Sequence, residues 1–134
     1  MISHHAALIY MMVLVSAADR NMTDAELRTI GEIVMDLPVF HDYDPELLPT
    51  TAAACADLMD LSDGLEQAFD LIKAALPEKL RETGYALACD VAASDRNSSQ
   101  EVLRLLEMAR HRLEIDRLIA AAIERGARAR YATL

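Results

Sequence analysis

A chain of 134 residues, 53% of them apolar, is long enough for one domain with its own core. Its formal net charge of −9 speaks against nucleic acid and against an anionic membrane surface as general partners, because phosphate recognition relies on clustered Lys and Arg. Four Gly and four Pro are too few for a many-stranded fold, and Ala, Leu, Glu and Arg favour helix, so the expectation is an all-α domain spanning residues 1–134.

Taken in order, about seven helices are predicted. The first runs from about Ser3 to Ala18 and has no polar face, so it should be buried on nearly all sides. Asn21 suits the left-handed close of that helix. Thr23 then caps a second helix, with Glu26 three residues on completing a capping box. Its predicted stripe is Leu27, Ile30, Val34 and Leu37, and Pro38 ends it. Val39 to Pro49 reads as a loop. Thr50 or Thr51 starts a third helix to about Leu61, and Ser62 caps a fourth with Leu65, Ala68, Phe69, Ile72 and Leu76 inward. Pro77 and Glu78 open a fifth, apolar from Tyr85 to Ala92, which should partner the first. A sixth turns Val102, Leu103, Leu106, Ala109 and Leu113 inward. Glu114 or Asp116 starts the last, with the stripe Ile115, Leu118, Ile119, Ala122 and Ile123.

Charge is unevenly placed. No Lys or Arg lies between Arg28 and Lys73, where Asp57, Asp60, Asp63, Glu66 and Asp70 cluster, while Arg125, Arg128 and Arg130 crowd the final helix. This is either a solvated acidic face or a surface for a basic protein partner. Cys55 and Cys89 sit in Ala-rich stretches and read as small buried hydrophobes in a reducing compartment. The apolar run Ala6–Ala18 has no basic residue before it and is shorter than the ~20 residues that span a bilayer, so it reads as a core helix of a cytoplasmic protein rather than a leader or transmembrane segment.

One phrase occurs twice. Ala17-Ala18-Asp19-Arg20-Asn21 returns as Ala93-Ser94-Asp95-Arg96-Asn97, each at the end of an apolar helix and each followed by a helix start. A duplicated helix–turn–helix unit predicts that helices one and five are central and the two acidic turns related. The first apolar helix into Ala17-Ala18-Asp19, the Thr23-to-Glu26 start, Leu76-Pro77-Glu78 and the second Ala-x-Asp turn together resemble the TerB-like family of tellurite-resistance-associated proteins, over roughly residues 9–118. The resemblance implies a compact helical bundle without established catalytic activity, found in bacterial stress systems and proposed to bind divalent metal at acidic residues near the turns. This chain departs from the family where Arg20 and Arg96 replace the usual Gly, and where Val102 stands in place of a second Glu26.

The candidate ligands for calcium or another divalent cation are Asp19, Asp24 and Glu26 in the first turn and Asp95 and Glu101 in the second, since hard cations take several oxygen ligands. The competing reading makes Asp19 and Asp95 turn residues that accept backbone N–H bonds. Asp90, within the fifth helix, either joins these acids or pairs with an arginine such as Arg20. An EF-hand is excluded, because its sixth and twelfth positions would hold Asp24 and Ile30. His4, His5, His41 and His111 form no His-Glu-x-x-His or Glu-x-x-His pattern, and no phosphate loop is present. The expected function is non-enzymatic cation binding. The alternatives are an acidic interaction module acting on a protein partner or as a homo-oligomer and, less favoured, a metal-dependent hydrolase.

Overall fold

The computed structural model describes residues 1–19, 22–96 and 99–134. Among these the fold is all-helical, with seven α-helices and no strand: α1 (His4–Ala17), α2 (Asp24–Asp36), α3 (Leu48–Met59), α4 (Gly64–Ala75), α5 (Glu78–Ser94), α6 (Gln100–Arg112) and α7 (Arg117–Arg130).

α1 is the centre. Ser3 caps it by accepting the Ala6 N–H at 3.0 Å, and every residue from Ala7 to Ser16 is buried. A helix apolar on all sides must be enclosed on all sides. α5 lies along it most extensively, α3 and α4 cover further faces, and α2 and α6 close the rest. The expected pairing of helices one and five is therefore present. Among the described residues no helix is long and apolar enough to cross a membrane.

The helix starts follow local chemistry. Thr23 Oγ1 accepts the Glu26 N–H at 3.1 Å and Glu26 Oε1 accepts the Thr23 N–H at 3.1 Å, a complete capping box. Leu37 is extended before Pro38, which ends α2 as predicted. The predicted Val39–Pro49 loop is cut short: two 3-10 turns, Pro38–Phe40 and Pro45–Leu47, lead into α3, which begins at Leu48 rather than at a threonine. Asp63, not Ser62, precedes α4. The α3–α4 corner is so tight that a Cβ on Gly64 would stand 1.8 Å from the Leu58 carbonyl oxygen, which only glycine avoids. Asn21 lies outside the described residues. In the second turn Arg96 takes the left-handed conformation, at φ 51°.

Five apolar assignments need correction. Leu27 and Leu103 are exposed, and Leu105 takes the buried place on α6. On α7, Leu118 is 80% exposed and Ile119 and Ala122 are exposed as well, while Ala120 and Ala127 are buried. α7 meets α5 through small residues and turns its largest aliphatic side chain outward.

Candidate functional site

The two acidic turns close the C-terminal ends of α1 and α5. Asp19 follows α1 directly and Asp95 is the C-cap of α5, so each carboxylate stands at the negative end of a helix dipole. Both are partly buried, whereas Asp24 and Glu101, in the first turns of α2 and α6, are exposed. The five candidate carboxylates therefore separate into an inner group of Asp19, Glu26 and Asp95 and two outer residues.

Glu26 is the residue out of place. It is 0% exposed, yet among the described residues its carboxylate has only Thr23 as a partner: Oε1 accepts the Thr23 N–H at 3.1 Å and meets Thr23 Oγ1 at 3.4 Å. Oε2 is buried with no hydrogen-bond partner among the described residues. Burial raises the Glu26 pKa above its ordinary value. The Thr23 N–H opposes this, and the negative charges of Asp95 and then Asp19 push it up further. That both turn aspartates act on Glu26 places the two turns at one end of the bundle, around one buried carboxylate. Among the described residues, however, no group of three or more His, Cys, Asp or Glu side chains is drawn together closely enough to hold a metal ion.

Asp90 does not join this group. It pairs with Arg130 of α7, so an arginine partner of the kind expected is present; Arg20 lies outside the described residues. The cysteines are buried and free, and burial pushes both thiols up to about 12, which leaves neither a nucleophile near neutral pH. Sequence reasoning missed a polar cluster at the α5–α7 contact, where the Tyr85 hydroxyl donates to Glu124 Oε2 at 2.5 Å beside Cys89. The available signal was Tyr85 itself, since a buried phenol needs a partner for its hydroxyl.

Compared with known protein families, with curated proteins and with solved structures, the chain matches none.

Proposed function

We propose that this protein is a non-enzymatic, TerB-like binding protein that takes a divalent cation where its two acidic turns meet. The observation that carries the reading is Glu26, a buried carboxylate with one oxygen unpartnered among the described residues and two aspartate charges bearing on it. An ionised, half-satisfied carboxylate is costly inside a protein, and a cation is the ligand that converts that cost into affinity. Glu26, Asp19 and Asp95 are the residues that would hold it, and the cation would supply the positive charge that lets three carboxylates approach. Asp24 and Glu101 belong to the outer field rather than to the ligand set, because both are exposed. The twice-occurring turn and the stress-associated family it resembles fit this role.

A second reading, an adaptor for a basic partner, is favoured by the α3–α4 corner, where Asp57, Asp60 and Asp63 are exposed together with Leu61. Calorimetric titration of metal-stripped protein with calcium, manganese and zinc separates the two. The cation reading expects saturable binding that Glu26→Gln abolishes and Asp19→Asn or Asp95→Asn weakens. If millimolar metal leaves the protein unaffected, the cation reading fails and the adaptor takes its place.

A further inference from the structure

The cleft between α6 and α7 has no part in the cation site and has its own chemistry. Both helices pack on α5 and scarcely touch each other, leaving a cavity of about 560 Å3 whose floor is α5. That volume is in the range of small-molecule pockets, roughly 300–1,000 Å3. The lining is largely apolar, with Cys89 and Ala92 below and Leu103, Leu106 and Ala121 on the walls. Leu103, 53% exposed, owes its exposure to this opening.

Three arginines, Arg110, Arg117 and Arg128, line the same cavity. Among the described residues none of them pairs with a carboxylate; Arg110 touches only the neighbouring His111 Nε2, at 3.0 Å. This contrasts with Arg81, Arg112 and Arg130, all of which have acidic partners in a chain of net charge −9. Two carboxylates also line the cavity, Glu107 and Glu124, and Glu124 already accepts the Tyr85 hydroxyl. Position along the cleft is informative. Arg110 lies in the last turn of α6 and Arg117 is the first residue of α7, so both stand at the loop end. From Arg117 the wall continues for eleven residues to Arg128, ~16 Å of helix.

We propose that this cleft binds a free amphipathic organic anion, with an apolar chain along Leu103, Leu106, Ala92 and Ala121 and a carboxylate head on Arg110 and Arg117. The charge complementarity argues for it: two of the three unpaired guanidiniums, Arg110 and Arg117, stand together at the loop end of an apolar trough and match a single head group on a hydrocarbon body, while Arg128 stands apart at the far end. The inference is independent of Glu26.

The test is calorimetric titration of the full chain with decanoate, with decanol as the uncharged probe. Saturable one-to-one binding of decanoate is expected, weakened about tenfold or more in the Arg110→Gln/Arg117→Gln double variant. Ala121→Trp, which fills the trough from an exposed position, should abolish it with the helical circular dichroism intact. Arg125→Gln, with no place in the cavity lining, and Glu26→Gln should leave it unchanged. Equal affinity for decanol, equal loss in Arg125→Gln, or no saturation by decanoate would overturn the proposal. So would protein that sediments with phosphatidylglycerol vesicles while ignoring monomeric decanoate, since the anion would then be a membrane surface.

Discussion

The two acidic turns begin alike in sequence and differ at one buried point. After the first, Thr23 caps α2 and the third helical residue is Glu26; after the second, Ser99 caps α6 and the third helical residue is Val102. Both of these residues are 0% exposed. The Ser99 hydroxyl accepts the Val102 N–H at 3.3 Å, as Thr23 accepts the Glu26 N–H at 3.1 Å. The second helix start thus forms without a carboxylate, with methyl groups in the place that Glu26 occupies. Capping alone does not require a buried charge there. Glu26 adds the second half of a capping box that the other helix start does without, and its buried charge is the reason to look for a ligand at the first turn rather than the second.

Making the turns alike is the sharpest way to probe this difference. Val102→Glu would bury a second carboxylate where methyl groups now pack, and even with Ser99 placed as Thr23 is, it is expected to cost on the order of 3 kcal/mol by chemical denaturation. A cost below about 0.5 kcal/mol would mean that this depth tolerates charge freely, and Glu26 would lose its special status.

The reverse change, Glu26→Gln, keeps the hydrogen-bonding shape of the capping box and removes the charge. Stability near neutral pH should rise by on the order of 1 kcal/mol in metal-free protein, because a buried carboxylate close to Asp19 and Asp95 gives way to a neutral amide. The pH dependence should change with it. A carboxyl whose pKa is higher folded than unfolded, where the ordinary value is 4.5, binds protons more strongly in the native state. Stability therefore falls as pH rises from about the unfolded value through the folded one, and that slope should flatten in Glu26→Gln. Thermal melts across that range read both effects.

Smaller effects attach to the caps. Thr23→Ala and Ser99→Ala should each cost about 1 kcal/mol, with Thr23 the larger because its hydroxyl also meets Glu26 Oε1. Equal costs would show that the contact between Thr23 and Glu26 contributes nothing.

Much of the fold was legible before the structure. The helix ends at Thr23, Pro38, Pro77 and Ser99 rest on backbone chemistry that acts within a few residues, so sequence reports them well. α7 was misread because hydrophobic periodicity weighs a large Leu more than a small Ala. Ala120 and Ala127 let α7 lie close on α5, and Leu118 follows the opposite face outward. The same misreading concealed the cleft, whose walls Leu103 and Leu106 looked like ordinary core residues. At the site, all five carboxylates were visible as candidates. Their division into an inner three and an outer two was not, because it depends on how α1 and α5 align their ends, a contact between segments far apart in the chain.

The enclosure of α1 also has a consequence during synthesis. Its partners α3, α4 and α5 are all made later, and at ~5–20 residues per second the roughly 80 residues from α1 to the end of α5 take several seconds to appear. Until those partners appear in turn, the segment from Ala7 to Val15 lacks the surfaces that enclose it in the finished fold. The most protected helix of the finished protein is thus the most sticky part of the nascent one, and a natural client segment for chaperones until α5 arrives.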